Sequence, residues 1–253
     1  MSRTRVIPSL LMKDGGLVKT IKFSKERYVG DPINAVRIFN EKEVDELVLL
    51  DIGLSKKREE PNFENIEEIV SEAFMPIGYG GGVSSLAHID RLFKIGIEKV
   101  VINTAAFEDE QLIYKASKIY GNQSVVVSID VKKSIFGSYN VYSCGGTRKE
   151  KISLEDAVLK FQELGAGEII VNSIDRDGTM SGYDIDLIRK LTSGLEIPLV
   201  ALGGARNVND FVSAVNAGAS AVSAGSMFIF QGVHRAVLIS YIDGEELETE
   251  LNK

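Results

Sequence analysis

Two stretches of the sequence, 122 residues apart, share one pattern. Residues 31–52 read DPINAVRIFNEKEVDELVLLDI, and residues 153–174 read SLEDAVLKFQELGAGEIIVNSI. Each stretch carries apolar residues at helical spacing and ends in a run rich in Val, Ile and Leu, which is typical of a helix followed by a buried strand. Phe39 aligns with Phe161 and Glu46 with Glu168. The sequence therefore predicts an internal repeat.

The same alternation of strand and helix patterns extends along the chain. Eight strand candidates begin at Arg5, Glu46, Met75, Lys99, Ser124, Glu168, Pro198 and Ser220. Eight helical patterns lie between and after them, at 31–43, 62–73, 85–95, 109–119, 153–164, 183–193, 207–217 and 232–242. Eight such units in 253 residues favour a single (β/α)8 TIM barrel of the α/β class over an open doubly wound sheet. We expect one domain over residues 1–253, built from half-barrels of about 1–122 and 123–253.

Two of the predicted loops between a strand and the next helix are longer than a β/α unit needs. They cover residues 12–30 after the first strand and residues 131–151 after the fifth, where a hairpin is expected around Gly137. Long loops at the carboxyl ends of barrel strands are where catalytic groups and lids lie. The tail from Glu245 is expected to be a solvated end.

Composition excludes several classes of function. The net charge of -7 gives no reason to expect binding to nucleic acid, and no apolar run is long enough to span a membrane. The single Cys144 excludes a disulfide framework and a cysteine-based metal site, and His88 and His234 are too few for a three-histidine site. We expect a cytoplasmic protein with no metal and no cofactor.

Paired small residues follow several strands. Glycine lets the backbone approach a ligand closely, and neighbouring amide and hydroxyl groups can donate to an anion. We predict a phosphate site in the second half and a matching one in the first half, although these glycines can also form simple tight turns. The predicted residues are Gly203, Gly204, Gly225 and Ser226, and, at the same offset, Gly81, Gly82, Asn103 and Thr104.

Asp130 ends the fifth predicted strand, where a carboxylate is a candidate general acid or base. Leu11 occupies the corresponding place in the first half. Asp177 and Gly178, in the loop after the sixth strand, are predicted to contact a ligand, the alternative being a solvated turn. Lys19 is also predicted to contact this ligand.

Charged residues open four of the predicted strands: Arg5, Glu46, Lys99 and Glu168. If they point into the barrel, two cations and two anions can form a neutral ring. From spacing alone, solvated strand ends are the favoured interpretation.

Taken together, these residues resemble the cyclase subunit of imidazole glycerol phosphate synthase over essentially the whole chain. The motifs that carry the resemblance are MKDG at 12–15, GDP at 30–32, DELVLLDI at 45–52, GYGGGV at 78–83, INTAA at 102–106, SIDRDGT at 173–179, SGYD at 181–184 and GGA at 203–205. The resemblance implies two phosphate sites for a small phosphorylated ligand and a heterodimer with a glutaminase at the amino-terminal barrel face. It also implies an interior ammonia gate formed by the four charged residues, so the gate becomes the favoured interpretation.

The sequence departs from this family at the active site. The family uses two aspartates, at the ends of the first and fifth strands, and here Leu11 replaces the first. A leucine cannot transfer a proton, and loss of general acid–base catalysis costs about 10²–10⁴-fold in rate. Leu202 and Asn172 stand where the family usually has Ser and Thr. This combination resembles the glycosyl amidation-associated paralogues, in which ammonia is thought to pass to a separate sugar amidotransferase.

Three alternatives remain. The first is a genuine cyclase of histidine biosynthesis in which Lys13, Asp14, Lys19 or water replaces the missing acid. The second is the related isomerase of the same pathway, which has no use for an ammonia gate. The third belongs to another class, a non-catalytic scaffold that binds a phosphorylated ligand and activates the glutaminase.

Overall fold

A computed structural model describes residues 3–242 and 244–252. Its strands, in chain order, are β1 (Arg5–Lys13), β2 (Gly16–Ile21), β3 (Ser24–Gly30), β4 (Leu47–Asp51), β5 (Ile77–Gly80), β6 (Lys99–Ile102), β7 (Val125–Lys133), β8 (Tyr139–Ser143), β9 (Arg148–Lys149), β10 (Glu168–Ser173), β11 (Leu199–Leu202), β12 (Ala221–Ala224), β13 (Phe230–Gln231) and β14 (Ala236–Val237). Its α-helices are α1 (Pro32–Glu41), α2 (Leu54–Lys57), α3 (Phe63–Ser71), α4 (Leu86–Ile95), α5 (Thr104–Glu108), α6 (Glu110–Tyr120), α7 (Leu154–Glu163), α8 (Ile185–Thr192), α9 (Val208–Asn216), α10 (Ser226–Ile229) and α11 (Gly244–Leu251).

Eight of the strands close into a parallel barrel, as predicted. The hydrogen-bonded order is β10, β11, β12, β1, β4, β5, β6 and β7, and β7 also pairs with β10 to complete the circle. These strands are almost wholly buried because helices cover their outer face, which explains their continuous apolar sequences. The carboxyl ends of all eight strands therefore open on one face of the barrel.

Seven of the eight predicted helices are confirmed: α1, α3, α4, α6, α7, α8 and α9. Each begins after a residue whose side chain accepts a hydrogen bond from the first turn, which satisfies a backbone donor that the helix cannot. In α9 the cap is reciprocal, because Asn207 and Asp210 bond to each other's backbone. Their apolar faces cover the outside of the barrel.

The prediction of an eighth helix over 232–242 is wrong. β13 and β14 pair there as a short antiparallel hairpin, and His234 lies in its turn. Gly232 and Arg235 adopt positive φ angles of 70° and 50°, which a right-handed helix does not allow. The tail from Glu245 is mostly exposed, as expected, but it is not a loose end, because it forms α11 and packs on α9 with Leu247 fully buried.

The two long connections extend the sheet beyond the barrel. After β1 the chain forms β2 and β3, which pair antiparallel, and after β7 it turns at Gly137 into β8, as expected. A separate apolar cluster fills the interior of the barrel and contains Ile7, Val48, Val101, Val126, Ile170, Val200, Leu202 and Ala221. The barrel interior is therefore packed at the level of this layer. No helix in the described part of the chain is both long and apolar enough to cross a membrane.

Candidate functional site

A cavity of about 670 Å³ lies at the carboxyl ends of the barrel strands. It contains the predicted residues of the first half together with several from the second: Gly81, Gly82, Asn103, Thr104, Asp130, Asp177, Gly225, Ser226, Lys19 and Leu11. The long hairpin after β1 and the loop after β4 form its walls. These residues of the two halves therefore meet in one cavity.

The remaining predicted residues line a second, much smaller hollow of about 20 Å³. Gly178, Gly203 and Gly204 belong to it, and it shares Asp177, Gly225 and Ser226 with the main cavity. The two hollows therefore adjoin.

Glycine is required at several of these positions by the backbone itself. A Cβ on Gly81 would lie 2.3 Å from the Asp51 carbonyl oxygen, and one on Gly204 would lie 2.2 Å from that of Gly182. Both glycines also have φ above +100°. Close backbone contact and a positive φ therefore explain glycine at these two positions, and phosphate binding stays a prediction.

Asp130 is positioned near the end of β7 with its carboxylate in the cavity. Asn103 donates a hydrogen bond from Nδ2 to its Oδ2 at 3.3 Å. Burial, reinforced by the negative charge of Asp177, raises the pKa of the Asp130 carboxyl to about 7. Such a group holds and releases a proton near neutral pH, as a general acid or base requires.

Leu11 lies on the opposite side of the cavity. In β1 it is placed between Val18 of β2 and Leu50 of β4, and its side chain lines the cavity. An apolar side chain there can neither donate nor accept a proton. Leu202 adds a second apolar group and is only 8% exposed.

Asp51 is a cavity residue that the sequence analysis missed. It ends β4 and lines the cavity, and burial raises the pKa of its carboxyl to about 6, although Gly53 donates a backbone hydrogen bond to it. A carboxylate at the end of a barrel strand is the signal that could have revealed it, since DELVLLDI ends its strand in Asp51.

Lys19 and Asp177 form the charged part of the cavity beside Asp130. Lys19 is buried on β2, and its Nζ donates to the backbone oxygen of Ser9 at 2.6 Å. Burial lowers the pKa of Lys19 to about 8, and the carboxylate of Asp177 opposes that shift. Burial raises the pKa of Asp177, which accepts a hydrogen bond from Thr20 Oγ1 at 3.0 Å. Among the described residues, no group of three or more His, Cys, Asp or Glu side chains could hold a metal ion.

The four charged residues at the other end of the barrel form a closed ring. Lys99 Nζ lies 2.8 Å from Glu46 Oε2 and 3.1 Å from Glu168 Oε2. Arg5 Nη1 lies 2.5 Å from Glu46 Oε2, and Arg5 also pairs with Glu168. Glu46 and Glu168 are each only 4% exposed. Each carboxylate pairs with both cations, and these ion pairs compensate the cost of burying its charge. The interpretation of these residues as solvated strand ends is wrong.

Fold and site together define a (β/α)8 barrel protein with its cavity on the face where barrel enzymes carry their active sites. Residues 5–234 match the family of histidine biosynthesis proteins. A protein of Pseudomonas aeruginosa with the provisional name imidazole glycerol phosphate synthase subunit hisF2 is 52% identical over 249 residues, covering 98% of this chain and 99% of that protein. A Leptospira interrogans protein provisionally named as the HisF subunit is 48% identical over 250 residues, or 98% of each chain.

An imidazole glycerol phosphate synthase subunit HisF of Petrotoga mobilis is 39% identical over 237 residues, which cover 93% of this chain and 94% of that one. The chain therefore belongs to the family of histidine biosynthesis proteins, among the HisF subunits of imidazole glycerol phosphate synthase.

Proposed function

We propose that this protein works in the cytoplasm as the ammonia-receiving subunit of a glutamine amidotransferase complex. A glutaminase binds the amino-terminal face of the barrel, and ammonia passes through the barrel toward the cavity. The ammonia then serves a separate amidotransferase that amidinates a sugar of a surface polysaccharide. The cyclase chemistry of the family is impaired in this chain.

The amino-terminal end of the barrel supports the first part of this proposal. Ion pairs among Arg5, Glu46, Lys99 and Glu168 link four strand ends at this end of the barrel, and their charges balance. A ring held only by side chains can open by a change of rotamer, without a change in the barrel backbone. A small neutral molecule released by a partner on this face then enters the barrel.

The second part rests on Leu11 and Asp130, which line opposite sides of the same cavity. Proton transfer on two sides of a bound substrate requires two titratable groups, and only one of these two positions supplies one. The cavity nevertheless keeps Gly81, Gly82 and Asn103, which are expected to hold a small phosphorylated ligand. A site that binds without completing the reaction suits a subunit whose ammonia is used elsewhere.

A second candidate function is the cyclase reaction itself, and Asp51 favours it. Its carboxyl lies in the same cavity and has a pKa of about 6, so it can replace the missing acid. The similarity to the HisF subunit of Petrotoga mobilis favours it as well.

Growth of a histidine auxotroph that lacks its cyclase subunit separates the two candidates. The proposal predicts no growth with the wild-type protein, even when it is expressed with its glutaminase. Growth with the wild type would overturn it, and loss of that growth in Asp51→Asn would assign the acid to Asp51.

A further inference from the structure

The hairpin formed by β7 and β8 ends in an apolar tip. Its turn displays Ile135 and Phe136, which are 95% and 91% exposed. No other two consecutive large apolar residues in the described part of the chain are exposed to this extent. Single apolar residues on a surface are common, whereas contiguous exposed apolar surface marks an interaction site. These two side chains pack on nothing within the chain, so a contact outside it is needed to explain them.

Hydrogen bonds hold this tip in one conformation. The Ser134 amide donates to the Ser138 carbonyl oxygen at 2.7 Å, and the Gly137 amide donates to the Ser134 carbonyl oxygen at 3.0 Å. The Ser138 amide also donates to Ser134 Oγ at 3.1 Å. Gly137, with φ of +86°, supplies the left-handed residue that such a hairpin turn needs. The tip is therefore ordered before any partner binds, and little conformational entropy is lost on binding.

The base of the hairpin is fixed to the barrel. The Lys133 amide donates to Asp175 Oδ2 at 2.8 Å, and the Tyr139 hydroxyl donates to Asp184 Oδ1 at 2.9 Å. Lys133 Nζ lies 5.2 Å from the centre of the Tyr139 ring. The tip thus keeps a defined position relative to the loops that follow β10.

That position is at the mouth of the cavity. Asp130 on β7 and Gly145 in the turn after β8 both line the cavity. A strand rises about 3.3 Å per residue, so β7 extends about 10 Å beyond Asp130 before the turn begins. The tip therefore projects past the cavity rim, at the end of the barrel opposite the ring of charged residues. Ammonia that is used elsewhere leaves the barrel at this end.

The charge around the tip differs from that of the chain. Residues 131–149 contain Lys132, Lys133, Arg148 and Lys149 and no Asp or Glu, although the chain carries a net charge of -7. An apolar tip on a basic connection is complementary to an apolar pocket with an acidic rim. The acidic remainder of the chain opposes an approach to an anionic membrane, which favours a protein as the partner.

We propose that Ile135 and Phe136 dock into an apolar, acid-rimmed pocket of the amidotransferase that uses the ammonia. The docked enzyme covers the mouth of the cavity, so ammonia reaches it without escaping into the solvent. This docking surface rests on the proposed function for the identity of the partner.

The test is a direct measurement of binding. The probe is the purified amidotransferase of the source organism, recognised by its ability to amidinate an acetamido sugar with free ammonium. Its Kd for the complex of this chain with the glutaminase is compared between wild type and the double variant Ile135→Ser/Phe136→Ser. We expect the variant to bind at least about 10-fold more weakly, because burial of two apolar side chains is lost. Serine suits a tight turn, so the variant should keep the unfolding transition of the wild type.

Two further variants make the assignment specific. Leu159→Ser removes an exposed apolar side chain from α7, on the outer wall of the barrel, and should bind like the wild type. Lys132→Glu reverses a charge beside the tip and should slow association at low ionic strength, with the difference shrinking as salt is added.

Absence of binding by the wild type, equal affinity of the double variant, or binding of the tip to phosphatidylglycerol vesicles in place of the amidotransferase would each overturn the docking surface. Failure of the proposed function has a different signature. The amidotransferase would then bind through the tip, but glutamine would not support the amidination that free ammonium supports.

Discussion

Leu11 and Asp130 lie on diametrically opposite strands of the barrel. Four steps separate β1 from β7 in either direction around the eight-stranded circle, and both side chains line the same cavity. An apolar group thus faces a carboxyl whose pKa is raised to about 7. The function that we propose rests on this asymmetry, because only one of the two opposite positions carries a titratable group.

Replacing Lys99 by Ala tests the ring. The two buried glutamates would then share Arg5 alone, and we expect the free energy of unfolding to fall by about 1–3 kcal/mol, below the usual cost for a fully buried pair because Lys99 is partly exposed. In the complex with its glutaminase, glutamine hydrolysis should continue while ammonia is lost to solvent. Urea unfolding measures the first effect. The ratio of glutamate formed to ammonia consumed, with the proposed sugar amidotransferase and its acceptor present, measures the second.

Lys190→Ala is the control for Lys99→Ala, because its exposed pair with Glu155 is worth less than about 1 kcal/mol. Unchanged coupling of glutamine hydrolysis to ammonia use in Lys99→Ala would show that Lys99 does not gate ammonia.

The raised pKa of Asp130 predicts a specific pH dependence of stability. Between about pH 4 and pH 7 the folded state holds a proton on this carboxyl that the unfolded state has released, so stability falls as pH rises through this window. The full effect of a shift of this size is on the order of 4 kcal/mol. Asp130→Asn cannot ionise and should lose this component.

The readout for Asp130 is the difference in unfolding free energy between wild type and Asp130→Asn, followed by urea titration from pH 4.5 to 8. Taking the difference cancels the contribution of carboxylates that do not interact with Asp130, whereas Asp177, whose charge reinforces the shift, remains part of the measured effect. A difference that stays constant over the whole range would show that Asp130 is ionised throughout.

Gly178 holds the loop after β10 against β2. A Cβ at this position would lie 1.9 Å from the Thr20 carbonyl oxygen, and φ is +67°. Gly178→Ala should therefore cost more than about 2 kcal/mol in thermal unfolding experiments, whereas Gly194→Ala, with open space around it, should stay within about 0.5 kcal/mol. Equal effects of the two substitutions would contradict the close contact.

The carboxyl-terminal helix is part of the core. Leu247 in α11 is fully buried, so Leu247→Ala should lower the free energy of unfolding by about 2–5 kcal/mol. Leu159→Ala, at a position 43% exposed, is the matched control and should cost under about 1 kcal/mol. Similar small losses in both would mean that the tail does not pack on α9.

The barrel was predictable because each of its units carries the same short sequence signals. Each unit carries its own apolar run and its own helix cap, such as Asp31 for α1 and Ser153 for α7. The helix predicted for the eighth unit was wrong. The apolar residues of 232–242 suggest a helix, but the positive φ angles at Gly232 and Arg235 exclude one. Those angles depend on contacts made elsewhere, including the hydrogen bond from Arg235 to the Gly178 carbonyl oxygen.

Much of the site was also predictable, since residues at the carboxyl ends of parallel strands meet on one face. The sequence does not predict whether the side chains of Arg5 and Lys99 point into the barrel, because this depends on how the barrel closes.

Steady-state turnover of the family's ribonucleotide substrate, with saturating ammonium in place of the glutaminase, tests the central claim most directly. The wild type and Leu11→Asp are compared side by side. We expect a silent wild type and a measurable gain in Leu11→Asp, because general acid–base catalysis contributes about 10²–10⁴-fold. A wild type that turns over at a normal enzymatic rate would contradict it and establish a working cyclase.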